Sequence, residues 1–396
     1  MYLSVRSRFN MVLIYIISIV SPLAFSDALI IGLDADMSAV AKLGGQAIER
    51  GALLAIDEIN ANGGVLGKQL KLVVKDHRGN PARGVDNILD FAKIPNLVGI
   101  LGGVHTPVVL SELKAIHDNK IVFISAWAAG TSIIDNGYDP NFVFRVSVRD
   151  EHAGLVLIQH AQKKGANKIA LLLERTGWGR SNEVSIKNAA QKFGIQISDI
   201  QWFNWQENSM QDQILHIKNS GAQAIILVAN APEGAVIVND LIKLNMQDTT
   251  PIISHWGLAS GSFVDAAGLD AINQIDLTVL QTFSFLEKNN ELLQSVFLAY
   301  QKAYEPDIAK IDIPAQVGVA QGYDAVQLLA QAINQAGTTN SIEIKKALES
   351  GLHYSGLIKQ YAPAFSESTH EALELPDYLL SQFNQNGRLV PIENIQ

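Results

Sequence analysis

Along this chain apolar residues recur in two alternating rhythms. Some form short unbroken runs, and others return every three or four positions over a longer stretch. Ala28-Leu-Ile-Ile-Gly-Leu33 is of the first kind. It suits a strand covered on both faces. The stretch after it places Ile48, Ala52, Ile56 and Ile59 at helical spacing, and Leu53 widens the stripe. Asn62-Gly63-Gly64 ends that predicted helix, because Asn and Gly accept the left-handed conformation found at helix ends.

The alternation predicts further strands at Leu70–Val74, Leu97–Leu101 and Ile121–Ile124, with helices at Pro81–Ala92 and Pro107–His117. After Arg145-Val-Ser-Val148 the rhythm restarts. Helices are expected at 151–164, 181–193, 209–219 and 233–244, and strands at Ile169–Leu173, Ile200–Phe203, Ala224–Ala229 and Pro251–Ser254. The last quarter reads as helix at Asn290–Tyr304, Ala315–Gln335 and Ser341–Glu349, then as short strands around Tyr378–Phe383 and Arg388–Pro391. Strands alternating with helices imply an α/β fold of parallel sheets flanked by helices. There is no internal repeat, and the two alternating halves predict two similar lobes.

The first residues break this pattern. Arg6 and Arg8 precede an apolar run from Met11 to Val20, followed by Pro22 and Ala24-Phe25-Ser26. This is the layout of a secretory signal peptide cut after Ser26, and the run is about half of what a bilayer span needs. Removing 1–26 takes away two Arg and no acid. The remainder has 28 basic and 39 acidic residues, a net charge of −11. So acidic a surface is a poor partner for nucleic acid or anionic lipid. The chain has no cysteine, so disulfides are excluded, and Asp27 stands where a lipoprotein would need Cys. The expected location is a periplasm.

In open parallel sheets, ligands bind beyond the carboxyl ends of the strands. The loops at those ends hold three of the five tryptophans: Trp127, Trp178 and Trp256. Ile124-Ser-Ala-Trp-Ala-Ala-Gly-Thr131 surrounds one indole with residues that have almost no side chain. Backbone N–H groups there are open to a ligand, and Trp127 can stack on it. Gly102-Gly-Val-His-Thr-Pro107 opens a predicted helix, whose N–H groups attract an anion, with His105 and Thr106 as polar contacts. Asp34 and Asp36, at the first strand's exit, are expected to point apart, one to a cleft and the other to solvent. Asp57-Glu58 and Asp76-His77-Arg78 read as solvated charges. No nucleophile elbow, metal-ligand spacing or HExxH motif occurs, so neither catalysis nor a metal or cofactor is expected. Three tryptophans with an Asp also leave room for a quaternary amine or polyamine ligand.

The run GALLAIDEINANGGVLGKQLKLVVKDHRGNP resembles the opening of the branched-chain amino acid (Leu/Ile/Val) binding proteins, type I periplasmic binding proteins that serve ABC importers. The likeness extends over residues 28–396. It implies two Rossmann-like lobes joined by three crossovers and closing on a ligand, with 27–147 plus 280–355 as the first lobe and 148–279 plus 356–396 as the second. It implies a small-molecule ligand and permease subunits as partners; a monomer is expected. It places ligand contacts at His105, Thr106, Trp127, Ala128, Ala129 and Gly130 in the first lobe, and at Trp178, Asn230 and Trp256 in the second. Asp34 is added from the strand-exit reading. Where relatives carry an acid for an α-ammonium group, this chain has Ser254-His-Trp-Gly257. Where Thr or Ser is common, it has Ala128-Ala129. The ligand class left open is an amino acid, an amide, or an aromatic or carboxylic acid. A sensory binding protein and an exported α/β enzyme are the other readings.

Overall fold

The computed structural model describes residues 28–287 and 290–392. The expected signal peptide and its cut after Ser26 lie outside the described residues. The first lobe takes β1 (Leu29–Ala35), α1 (Lys42–Ala61), β2 (Leu70–Asp76), α2 (Pro81–Phe91), β3 (Leu97–Gly102), α3 (Thr106–Asp118), β4 (Phe123–Ser125) and β5 (Val143–Arg145). The second takes α4 (Asp150–Lys163), β6 (Lys168–Glu174), α5 (Gly177–Phe193), β7 (Gln196–Phe203), α6 (Gln211–Ser220), β8 (Ala224–Val228), α7 (Ala231–Lys243) and β9 (Ile252–Ser254). Two short helices follow, α8 (Phe263–Ala267) and α9 (Leu269–Ile272), then β10 (Leu277–Gln281).

The chain then returns to the first lobe with α10 (Glu291–Ala303), α11 (Gln316–Ala336), α12 (Ser341–Glu349) and the small hairpin β11 (Tyr354–Ser355) and β12 (Gln360–Tyr361). It ends on the second sheet with β13 (Leu379–Phe383) and β14 (Leu389–Pro391). Three crossings therefore join the lobes: after β5, after β10 and before β13.

The sheet orders explain why the halves of the sequence look alike. The first sheet runs β2-β1-β3-β4-β5, and the second contains β7-β6-β8-β9-β10, the same order one unit later. All these pairs are parallel. β13 and β14 extend the second sheet antiparallel beyond β10. Unbroken apolar runs form the central strands because helices cover both faces. Leu171, Leu173, Ile226 and Val228 are fully buried on the second sheet, as are Ile31, Leu33, Ile100 and Leu101 on the first.

Helix α1 packs on α11 so closely that glycine is required at the crossing. A Cβ on Gly51 would lie 2.0 Å from the Val319 carbonyl oxygen, and one on Gly322 would lie 2.3 Å from that of Ile48. Residues 357–372, expected with the second lobe, pack on the first instead. The reason is Asp324 on α11, which accepts from the Leu357 and Ile358 amides at 2.8 and 3.0 Å and from the Tyr361 hydroxyl at 2.9 Å. Glu371 then pairs with Arg145 at the end of β5.

Candidate functional site

In both lobes the order of strands reverses beside the first strand, and the loops leaving the carboxyl ends there face each other across the interlobe cleft. The cavity between them is lined by Val104, His105, Thr106, Pro107, Trp127 and Ala129 from one side and Glu174, Trp178, Asn230, Trp256 and Gly257 from the other. Its free space is about 10 Å³, room for about one water molecule. The lobes are thus shut on each other. Trp127 of the first meets Trp256 of the second with ring centroids 5.0 Å apart. A larger cleft of about 330 Å³ opens beside the crossing at Phe283, where Asp312 and Arg388 face each other at 2.6 Å. The loops of the β3, β4, β6 and β8 ends converge on the smaller cavity, which makes it the candidate site.

Each wall has a local cause. His105 caps α3 with extended backbone (φ −101°, ψ 119°), which sends its ring into the cleft. Its Nε2 is 2.9 Å from Asp36 Oδ2, and the two side chains are buried. Asp36 also accepts from the Ala39 and Ala41 amides at 2.7 and 3.0 Å. Burial pushes the Asp36 carboxyl up, but the bonds and charge of His105 and these amides outweigh it and hold the group down at about 2. The outer edge of His105 packs on Trp205, centroids 5.3 Å apart, and on His77 at 5.8 Å. His77 is fully buried rather than solvated. Burial, then the neighbouring His105, keeps it neutral down to about pH 3.

Thr106 Oγ1 accepts from the Gly130 amide at 3.1 Å, tying the start of α3 to the small-residue loop. That loop is held from below by Arg145, which donates to the Gly130 carbonyl at 2.8 Å while its other nitrogens grip Glu371. Trp127 and Ala129 line the cavity. Ala128 and Gly130 are buried behind it, and their backbone groups are not open to a ligand as the small side chains had suggested: the Ala128 amide donates to the Gly103 carbonyl at 3.1 Å and the Gly130 amide to Thr106.

In the second lobe Thr176 caps α5 by accepting from the Trp178 and Gly179 amides. Trp178 is thereby fixed at the helix start. Its indole N–H donates to Asp150 Oδ1 at 3.2 Å, which His255 Nε2 also reaches at 3.1 Å. Asn230 caps α7, and its side-chain amide donates to Glu174 Oε2 at 2.9 Å. Glu174 also accepts from Trp205 Nε1 at 2.9 Å and from the Thr176 hydroxyl at 2.5 Å. Burial pushes its carboxyl up to about 7 despite these donors.

Of the residues expected in the site, the cavity gathers His105, Thr106, Trp127, Ala129, Trp178, Asn230 and Trp256. Asp34 does not join them. It turns into the first lobe, where Asn87 Nδ2 donates to it at 2.7 Å and the fully buried Glu112 lies beside it. Burial pushes both acids of this pair upward. Neither Asp34 nor Asp36 reaches solvent. Sequence reasoning did not single out Glu174 as a wall residue, although it opens the loop at the carboxyl end of a buried strand, where ligand contacts were sought. Among the described residues, no group of three or more acidic or His side chains is arranged to hold a metal.

A family model described as periplasmic binding protein matches residues 29–387. Among curated relatives, Leu/Ile/Val-binding protein homolog 1 of Brucella abortus (strain 2308) is 23% identical over 346 residues, covering 87% of either chain. Among solved structures, a periplasmic binding protein type 1 from Bordetella pertussis Tohama I superposes with a TM-score of 0.83 at 21% identity, over 92% of this chain and 100% of that one. The branched-chain amino acid transporter substrate-binding protein LivJ from Streptococcus pneumoniae, in complex with isoleucine, gives a TM-score of 0.77 at 20% identity, over 92% and 100%. At such identities the structural likeness speaks for the fold.

Proposed function

Because the chain belongs to the periplasmic binding protein family, solute-binding proteins and not enzymes, we propose that it captures a small molecule between its lobes and presents it to an ABC importer. The observation that carries this reading is the cavity whose walls come half from each lobe, with Trp127 facing Trp256 across it. A ligand placed there touches both lobes at once and therefore has higher affinity for the shut arrangement than for an open one. That difference is what shifts the population toward closure. The permease reads the shut shape.

The residues proposed to hold the ligand are His105, Thr106, Trp127, Ala129, Trp178, Asn230 and Trp256, with Ala128 and Gly130 shaping the loop behind the indoles. Asp34 is left out, since it belongs to the interior of the first lobe. The relatives point toward amino acids, and the indole walls also suit amides and aromatic or carboxylic acids. The protein acts in the periplasm after loss of its leader, as a monomer with the permease subunits as its protein partners.

Heating the mature protein with a library of such compounds tests the reading. A compound held at 100 times its dissociation constant adds about 2.7 kcal/mol of stability. If no member of a broad library raises the melting temperature, or if a bound ligand lies outside the cavity, the reading fails.

A further inference from the structure

Among the residues lining the candidate cavity the one carboxylate is Glu174, and the one imidazole, His105, is spent on Asp36. Glu174 is 1% exposed, and all three of its hydrogen-bond partners are neutral donors: the Thr176 hydroxyl, the Trp205 indole and the Asn230 amide. All three partners point N–H or O–H groups at it, which supports the ionised acid against the burial that opposes it. Behind it stand two more buried acids, Glu233 and Asp150, each with one carboxylate oxygen that receives no hydrogen bond. No Lys or Arg is among the lining residues. The two imidazoles at the site are already engaged, His105 with Asp36 and His255 with Asp150.

Buried carboxylates are stable when a cation accompanies them, and neutral donors compensate only in part. Among the described residues no unpaired cation stands at the cavity. Its walls are indoles, whose faces attract positive charge. From this we propose that the ligand carries a protonated amine, which pairs with Glu174 while Trp127, Trp178 and Trp256 enclose the carbon atoms beside it.

The proposal rests on the binding reading above and narrows it. It also moves amine recognition to the end of β6, away from the β9 exit, where this chain has His255 and Trp256. A carboxylate elsewhere on the ligand is compatible with it, since the start of α3 lies on the opposite wall. A neutral amide or a plain carboxylic acid is not.

The test uses the full mature chain and matched probes: butylamine against butyramide and butyrate, leucine against 4-methylpentanoate, and phenethylamine against phenylacetate, each by thermal shift and calorimetric titration. At least one amine-bearing probe binds, and its uncharged or anionic counterpart binds about 30-fold more weakly or worse. In Glu174→Gln, with an unchanged circular-dichroism spectrum, the preference for the amine is lost. If that variant does not fold, the wild-type ratios decide alone. Tighter binding of an amide or plain acid than of its amine partner overturns the proposal and leaves the binding reading standing. Retained amine preference in a folded Glu174→Gln protein overturns it too. Binding of no probe and no library compound overturns both.

Discussion

Trp178 shows how a residue at this site serves two ends. Its ring forms a wall, and its N–H satisfies Asp150, whose other oxygen is already without a partner. Trp178→Phe keeps most of the wall and removes that donor. We expect a loss of about 1–3 kcal/mol of stability in denaturant melts, with ligand affinity changed far less than in Trp178→Ala. An affinity loss equal in the two variants would show that the hydrogen bond, not the ring, matters to the ligand. Arg145 works at one remove: it never faces the cavity but holds the Gly130 carbonyl and Glu371 together. Lysine has no fork to do both. Arg145→Lys should lower the melting temperature, because one ammonium cannot serve both partners and leaves a buried acceptor without its hydrogen bond, a loss of about 1–3 kcal/mol. A wild-type melting curve would remove Arg145 as the support of the loop.

The buried pair Asp34 and Glu112 gives a pH signature at the same scale. Burial raises both groups above the ordinary carboxylate range near about 4. The folded state then holds its proton more tightly than the unfolded chain, so this pair withdraws stability as pH rises above that range. Asp34→Asn removes one acid and relieves the other. The stability of the variant relative to wild type should therefore grow between about pH 4 and pH 8. A difference that is flat across that interval would rule out the pair as a source of pH dependence.

At the scale of elements, the crossing of α1 and α11 is the sharpest case. In an isolated helix, Ala in place of Gly stabilises by about 0.5–1 kcal/mol. At Gly51 the added Cβ would meet the Val319 carbonyl oxygen at 2.0 Å, so the helices must part. Gly51→Ala should lose about 1–3 kcal/mol in urea unfolding. A gain would mean that the two helices slide apart at little cost. Most elements were legible from the apolar rhythm, because these helices bury one stripe and these strands both faces. Ser341–Glu349 was read at its present bounds, and α2, α7, α10 and α11 lie within two residues of theirs. β10 was missed. Leu277-Thr-Val-Leu-Gln281 mixes polar with apolar residues, and its partners at β9 and β13 come from about 25 residues before and 100 after. Only pairing makes it a strand.

At the scale of the whole molecule, the shut cleft carries the prediction. With Trp127 and Trp256 in contact and about 10 Å³ free, a ligand enters only if the lobes part. Scattering in solution should give a smaller radius of gyration with ligand than without, and indole fluorescence should change in step with occupancy. A radius unaltered by a saturating ligand would remove hinge closure from the mechanism.

The sequence by itself determined the α/β alternation, the doubling into two lobes and the loops at which a ligand is met. All three follow from local periodicity and from the rule that loops at strand carboxyl ends face the cleft. Tertiary structure alone decided which side chains of those loops are inside. Asp34, two residues before Asp36 in the chain, is held inside the first lobe by Asn87 and Glu112, while Asp36 goes to His105. Glu174, next to Arg175 in what reads as a polar loop, is buried by Trp205 and Asn230, 31 and 56 residues away. A charge's environment is set by whatever long-range contacts cover it, and no local pattern encodes those.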